Sequence, residues 1–199
     1  MESRRDIITY GQQKKASIIK LGSSLKNLAK LQHLNTLNIN CDSCKSITLE
    51  GLEKCENLTS LKVTTRMLTE SVKMKGIPQN ITNLDLRYAQ LRLSAVQLFN
   101  PDHQQLLSGC LNSLSQSNNK NDNLKTFTLY RYEIYSKTAS LMQFSSLTKL
   151  HLIHCAIKDS DLLQILSLQN LFSLKELNLA ESWLQDNQGH SIIQPTLRC

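Results

Sequence analysis

Three residues in the second half of the chain have types and spacing that could hold a metal ion: His151, His154 and Cys155, in the stretch SLTKLHLIHCAI. Zinc prefers imidazole nitrogen and thiolate sulfur, but its ligands must converge on one point. A strand through this stretch points Leu150 and Leu152 to one side and His151 to the other. His154 lies at the strand end and Cys155 turns towards the core, so we predict no metal site.

The pair Cys41 and Cys44 has the spacing of redox and metal-binding pairs, but no second Cys-x-x-Cys pair completes four ligands. We interpret Cys44 as a small buried apolar side chain. Cys55 and Cys110 fall on the apolar faces of predicted helices and are interpreted in the same way. Six cysteines without a secretory signal favour a reducing compartment.

Enzyme motifs are missing from the sequence: we find no phosphate-binding loop, nucleophile elbow, kinase signature or pair of catalytic carboxylates. We therefore predict that the protein is not an enzyme and uses no cofactor or small-molecule substrate. No apolar run approaches the ~18 residues of a membrane span. The net charge of +7 comes from scattered basic residues, a pattern that mainly favours solubility.

One pattern, apolar-x-x-apolar-x-apolar, recurs along the chain and organises it. Its copies begin at Leu34, Leu58, Ile81, Leu124, Leu147 and Leu174, at intervals of 24, 23, 43, 23 and 27 residues. A single copy cannot bury its own apolar edge, so such units stack and share one core. Leucine is abundant and only 5% of residues are aromatic, as regular packing of one small unit requires.

The copy LTKLHLIHCAI extends the pattern to L-x-x-L-x-L-x-x-N/C-x-L, with Cys155 at position 9 and Ile157 at position 11. In this the chain resembles the leucine-rich-repeat family over roughly residues 21 to 184, with irregular, ribonuclease-inhibitor-like cytosolic repeats. The resemblance implies an α/β solenoid of about six to seven repeats, with a curved parallel sheet on the concave side and helices and turns on the convex side. Because other copies vary position 9, a ladder of buried Asn or Cys side chains would be incomplete.

Helices are predicted in the segments that return from one strand to the next. TLEGLEKCENL and SDLLQILSLQNLFSL have helical apolar spacing and begin with Thr48 and Ser160 as capping residues. A further helix is predicted to begin at Pro101. It belongs to an insertion at about residues 92–123, which is either functional or a repeat whose strand has degenerated.

The predicted repeat domain, residues 21–184, lies between a basic N-terminal extension, residues 1–20, and a C-terminal tail, residues 185–199. An apolar helix over residues 18–31 is expected to cover the first strand. The tail offers no amphipathic cap, so the last repeat is expected to be exposed or covered by something else. The extension lacks the apolar core of a secretory signal.

The strand positions that point away from the core, with the residues just beyond them, form the candidate binding surface. Its centre combines Arg and Tyr, which are enriched at protein hot spots and can also stack on bases and contact phosphates. The predicted partner-binding residues are Lys62, Arg87, Tyr88, Tyr130, Arg131, Lys149 and His151. Asp85, Glu176 and Glu181 interrupt the positive charge of this row, which favours a protein partner over nucleic acid. A solvated face without a partner is the alternative.

These features predict a non-catalytic protein-protein interaction or architectural subunit of a larger intracellular eukaryotic assembly, binding one or more proteins through the concave face. Two alternatives stay open: an RNA-associated subunit of a ribonucleoprotein particle, and a substrate-recognition adaptor of the leucine-rich-repeat ubiquitin-ligase type. The expected location is a reducing compartment, the cytoplasm or the cytoskeleton, with an organelle such as the mitochondrion left open.

Overall fold

The computed structural model describes residues 7–10, 34–41, 46–49, 51–65, 71–73, 76–89, 101–116, 123–134, 144–167, 172–185 and 191–193. Over these ranges the chain has a mixed α/β fold with a large parallel sheet, two smaller sheets and few helices. The predicted mixed α/β class with a parallel sheet is therefore confirmed. The predicted helix over residues 18–31, Cys44 and the start of the insertion, residues 92–100, lie outside the described residues.

The large sheet takes one strand from each copy of the repeated pattern and one from the N-terminal extension. Its strands are β1 (Ile7–Tyr10), β2 (Thr36–Cys41), β4 (Ser60–Thr65), β6 (Asn83–Tyr88), β7 (Thr126–Tyr130), β9 (Lys149–Ile153) and β11 (Glu176–Asn178). The strands follow one another in chain order and every pair is parallel. Since β6 pairs directly with β7, the long 43-residue interval places no further strand between them in this sheet.

The other strands are short. β3 (Ser46–Thr48) pairs with β5 (Ser71–Lys73) in a two-stranded sheet. A four-stranded sheet contains β8 (Glu133–Ile134), β10 (Ala156–Lys158), β12 (Trp183–Gln185) and β13 (Ser191–Ile193). β8, β10 and β12 are parallel, and β13 joins β12 antiparallel at the edge.

Matching positions of the pattern lie side by side in the large sheet, so its apolar residues form continuous rows. We number each copy from its first apolar residue. Position 4 supplies one row, Leu37, Leu61, Leu84, Phe127, Leu150 and Leu177. Position 6 supplies a second, Ile39, Val63, Leu86, Leu129 and Leu152. All of these but Leu177 are at most 1% exposed, which makes the two rows the centre of the core.

The same backbone bonds join each copy to the next, where the strands begin. The carbonyl at position 2 accepts hydrogen bonds from the N–H groups at positions 2 and 3 of the following copy, as Asn35 O does from Thr59 and Ser60 at 3.0 and 2.9 Å. The arrangement recurs at Thr59, Thr82, Lys125 and Thr148. Threonine hydroxyls add to it, since Thr82 Oγ1 donates to Thr59 O at 3.1 Å.

The residue before position 1 adds a side-chain bond to this arrangement. Asn80 Nδ2 donates to Glu56 O at 2.9 Å, and Asn123 Nδ2 donates to Gln79 O at 3.3 Å. The tripeptide Asn80-Ile81-Thr82, which has the form of a glycosylation sequence, thus makes two bonds to the preceding copy.

Two α-helices lie in the described return segments, α1 (Pro101–Gln116) and α2 (Asp159–Ser167). The helix predicted from Pro101 is confirmed, and it buries the apolar residues Leu106, Leu107, Cys110, Leu111 and Leu114. Helix α2 begins at Asp159, so Ser160 lies within its first turn and the predicted capping role is wrong. The helix predicted from Thr48 is also wrong, because only a 3-10 turn, Leu52–Lys54, follows Gly51 in a left-handed conformation at φ 94°.

Position 8 divides the copies into two groups. In the first three it belongs to the strand, at Cys41, Thr65 and Tyr88. The last three copies instead place a left-handed residue there, Arg131, His154 and Glu181, with φ of 63°, 53° and 55°. That turn ends the first strand and starts the second short one, so the parallel part of the four-stranded sheet comes from these three copies.

Buried side chains at position 9 connect the last three copies. Cys155 is fully buried, as predicted, and its thiol donates to Leu129 O at 3.6 Å. Ser182 is also fully buried and its hydroxyl donates to Leu152 O, the equivalent carbonyl one copy later. The same hydroxyl accepts a bond from the Cys155 N–H at 3.0 Å. The Cys155 thiol and the Ser182 hydroxyl thus supply hydrogen-bond partners to buried backbone groups.

Ser182→Ala is expected to lower the free energy of unfolding by about 1–3 kcal/mol, because it leaves the N–H of Cys155 and the C=O of Leu152 buried without a partner. Urea denaturation followed by circular dichroism measures this change. Ser160→Ala is the matched control, since Ser160 is exposed and the same atom is removed there. Equal stability of Ser182→Ala and the unchanged protein would contradict the role of this hydroxyl.

Candidate functional site

The candidate surface is the face of the large sheet that points away from the core, here called the exposed face. Positions 5 and 7 supply its side chains because they alternate with the buried positions 4 and 6. Position 5 contributes Asn38, Lys62, Asp85, Thr128, His151 and Asn178, and position 7 contributes Asn40, Thr64, Arg87, Tyr130 and Ile153. Six of the seven predicted partner-binding residues lie on this face or at its edge, and three acids join them.

Tyr88 is the seventh, and its predicted place on this surface is wrong. Its side chain is 3% exposed and it pairs in register with Thr65, which is fully buried. The strand β6 continues through position 8, so alternation turns Tyr88 to the same side as Leu84 and Leu86. Burial raises the pKa of its phenol.

Asp85 holds two of the predicted basic residues on the exposed face. Arg87 Nε donates to both carboxylate oxygens of Asp85, at 2.8 and 3.0 Å. Lys62 Nζ lies 3.8 Å from Asp85 Oδ2, on the neighbouring strand. The pKa of Arg87 is raised, chiefly because its side chain donates to Asp85. One acid in the centre therefore bonds Arg87 of β6 and forms an ion pair with Lys62 of β4.

Glu176 of β11 likewise pairs with two predicted basic residues, both on β9. Lys149 Nζ lies 2.6 Å from Glu176 Oε2, and His151 Nε2 lies 2.9 Å from Glu176 Oε1. The other ring nitrogen of His151 lies 3.4 Å from Thr128 Oγ1. The bonds from Lys149 and then His151 lower the pKa of Glu176. If Nε2 carries the proton, Nδ1 of a neutral His151 accepts from the threonine hydroxyl, so both nitrogens are satisfied.

A third cluster forms where the left-handed position 8 turns three side chains along the edge of the exposed face. The Arg131 guanidinium carbon lies 5.2 Å from the Tyr130 ring centroid, within the range of a cation–π contact. The His154 ring meets Tyr130 edge-on, with centroids 5.1 Å apart, and His154 Nε2 lies 2.9 Å from Glu181 Oε2. Tyr130 therefore lies in contact with both Arg131 and His154.

The sequence prediction assigned no site role to Asp85, Glu176, His154 or Glu181. The three acids were interpreted only as interruptions of positive charge, whereas each bonds one or two of the basic residues. The sequence did hold a signal for one of the clusters, because Arg131, His154 and Glu181 all stand at position 8 of consecutive copies.

The chemistry of these clusters is that of paired charges at a surface. His151, His154 and Cys155 do not converge, because the two rings bond different glutamates and the Cys155 sulfur is buried against backbone carbonyls. Within the described ranges no three His, Cys, Asp or Glu side chains are grouped to hold a metal ion. Neither described helix is long and apolar enough to cross a membrane.

Comparison of the chain with protein-family models, with curated proteins and with solved structures finds no match in any of the three.

Replacing Glu176 with Gln tests the charge pairing through pH. A lowered pKa means that folding favours the ionised carboxylate, so its contribution to stability is present above the ordinary pKa of 4.5 and is lost as pH falls through the lowered value. We expect Glu176→Gln to be less stable than the unchanged protein at pH 7, and the difference to shrink as pH falls below 4.5. Urea denaturation at a series of pH values measures it.

Glu56→Gln is the matched control, because Glu56 is exposed and its carboxylate forms no ion pair among the described residues. High salt should also shrink the Glu176 difference, since the pair is partly exposed. If the stability difference between Glu176→Gln and the unchanged protein is the same at pH 3 and pH 7, it comes from the introduced amide and not from the lost charge.

The buried thiols give a further expectation. Burial raises the pKa of Cys110 and of Cys155 to about 12 from an ordinary 9.0. Because the thiolate is the reactive form, both should alkylate at least about a thousandfold more slowly in the folded than in the unfolded protein. Iodoacetamide labelling at pH 8, mapped by peptide mass spectrometry with and without guanidinium, measures the ratio. Comparable rates in the two states would place these thiols at the surface.

Proposed function

We propose that the chain is a leucine-rich-repeat solenoid that acts as a non-catalytic protein-binding or architectural subunit of a larger intracellular eukaryotic assembly. Its architecture supports the solenoid: one strand per copy, chain order within the sheet, and the same position-2 bonds between every successive pair. In such a stack each unit contacts mainly its neighbours, and the row of strands offers a long continuous surface. We place the partner on that surface, the exposed face.

The observation that carries the proposal is the fixed arrangement of basic and aromatic side chains on the exposed face. Asp85 and Glu176 each lie within 4 Å of two basic side chains, and Tyr130 contacts Arg131 and His154. Binding normally immobilises long side chains at a cost of about 0.5–1.5 kcal/mol each. Side chains that are already held by ion pairs and ring contacts lose less conformational entropy on binding. Binding to this face therefore costs less than binding to a surface of unpaired lysines.

The charges on this face support a protein partner. The described clusters contain four Lys or Arg side chains and three acids, and each acid lies within 4 Å of a basic nitrogen. A phosphate backbone approaching Arg87 or Lys149 would meet Asp85 or Glu176 directly beside it. Alternating charges instead suit a protein surface with the complementary order, which specifies the register of binding.

The test is affinity purification of the tagged full chain with mass spectrometry, with and without nuclease, for the unchanged protein and a triple variant, Arg87→Ala, Tyr130→Ala and Arg131→Ala. We expect a defined set of proteins that survives nuclease and is reduced at least tenfold in the triple variant. Hot-spot residues of these types justify that size of effect.

A double variant, Lys54→Ala and Lys158→Ala, removes two positive charges away from the exposed face and should keep the set. Thermal melts of all variants check that they fold. If the co-purifying proteins are lost on nuclease treatment, the partner is RNA-dependent and the proposal of a direct protein partner is contradicted. If no protein co-purifies, the subunit role is contradicted altogether.

A further inference from the structure

In the part of the chain that the structure describes, the large sheet ends at β11, and backbone groups that bond the next copy elsewhere have no partner there. Position-2 carbonyls accept two N–H groups from the next copy at Asn35, Thr59, Thr82, Lys125 and Thr148. Lys175 is the next position 2, and its carbonyl accepts no backbone bond from any described residue. Similarly, the position-8 N–H groups of Arg131 and His154 donate to Ile153 O and Ala180 O of the following copy, whereas Glu181 N–H has no such acceptor within the described ranges.

The apolar residues of the last copy are uncovered at the same end. Leu174 and Leu177 are partly exposed, although residues at the same positions of the five earlier copies are at most 2% exposed. The large hydrophobic side chains exposed among the described residues are Leu163, Leu166 and Phe172, at 61, 40 and 89%. All three lie in the eleven residues that precede this copy. The four-stranded sheet, by contrast, ends on the antiparallel strand β13.

We propose that the open edge of β11 binds an extended segment of a partner protein as an eighth parallel strand. The bonding arrangement specifies the ligand: two successive N–H groups for Lys175 O, and alternating apolar side chains beside Leu177 and Leu179. An Asn before the strand would donate to Phe172 O, as Asn80 and Asn123 do to the equivalent carbonyls of Glu56 and Gln79. This mode is strand addition, in which backbone bonds give affinity and alternate side chains give specificity.

The parallel direction decides against a second copy of this chain as the occupant. A two-fold dimer would place two β11 edges antiparallel, while a head-to-tail contact between copies would not close. The open groups at Lys175 and Glu181 continue a parallel arrangement that is repeated five times at the position-2 carbonyls. Although Glu176 and Glu181 also belong to clusters of the exposed face, the proposal uses backbone groups of the last copy and the apolar residues beside them, so it does not rest on those side-chain contacts.

The probe is a labelled ten-residue peptide with the sequence of residues 80–89, NITNLDLRYA, which carries the required Asn, two N–H donors and alternating apolar residues. Fluorescence anisotropy with the full chain is expected to show saturable binding. Methylating the backbone nitrogens that correspond to Thr82 and Asn83 should weaken it at least tenfold. Methylation at Leu84 and Leu86 is the matched control, because those N–H groups point to the other side of the strand and binding should stay within twofold.

Hydrogen exchange locates the site. In the free protein the amides of Leu177 and Glu181 should exchange rapidly, and the peptide should slow them. Phe172→Ser removes an exposed side chain at the edge and should weaken the peptide several-fold, while Lys54→Ser, a surface change in the return segment of the first copy, should not. Sedimentation velocity checks the oligomeric state.

Three results would overturn the proposal. If these amides are already protected in the monomer, the rest of the chain covers the edge. If they become protected together with dimer formation, the occupant is a second copy. If both methylated peptides bind equally, the strand bonds are not the basis of recognition.

Discussion

The parallel contact between one strand and the next is the interaction on which the rest of the molecule depends. In the first five copies the position-2 carbonyl accepts two N–H groups from the following copy at 2.8–3.0 Å, and these bonds fix the register of the copies that follow. A slip of one residue would turn Leu84 and Leu86 to solvent and Asp85 and Arg87 into the core. The buried rows and the charged clusters are therefore two consequences of one set of backbone bonds.

The left-handed residue at position 8 is the second constraint, and it sets the chemistry of the surface. Where the strand runs on, as in β6, position 8 adds Tyr88 to the core. Where the backbone turns, the side chain at position 8 stays at the edge of the exposed face and the chain starts a second short strand. For this reason Arg131 and His154 contact Tyr130, and Glu181 pairs with His154. A left-handed conformation is unusual for Arg, His and Glu, and it is compensated by the bonds from Arg131 N–H and His154 N–H to the next copy.

Periodicity explains why much of this fold could be predicted from the sequence. The pattern identifies positions 4 and 6 as buried in copy after copy, and the sheet direction follows because stacked copies must lie parallel. Pro101 and the apolar spacing behind it located helix α1 for local reasons that need no neighbour. The failed helix at Thr48 shows the limit, because its apolar spacing was suitable but Gly51 adopts a left-handed conformation at its start.

The surface was harder to predict, because it depends on geometry between copies. Tyr88 and Arg131 occupy the same position of the pattern, yet one is buried and the other lies at the edge, and only the backbone at position 8 distinguishes them. The pairing of Glu176 with Lys149 and His151 likewise spans copies that lie about 25 residues apart, which no local pattern reveals. Acids in this row are what hold the basic residues in place. Their removal would leave the exposed face more positive but less ordered, so the same three carboxylates that weaken the case for nucleic acid strengthen the case for a defined partner surface.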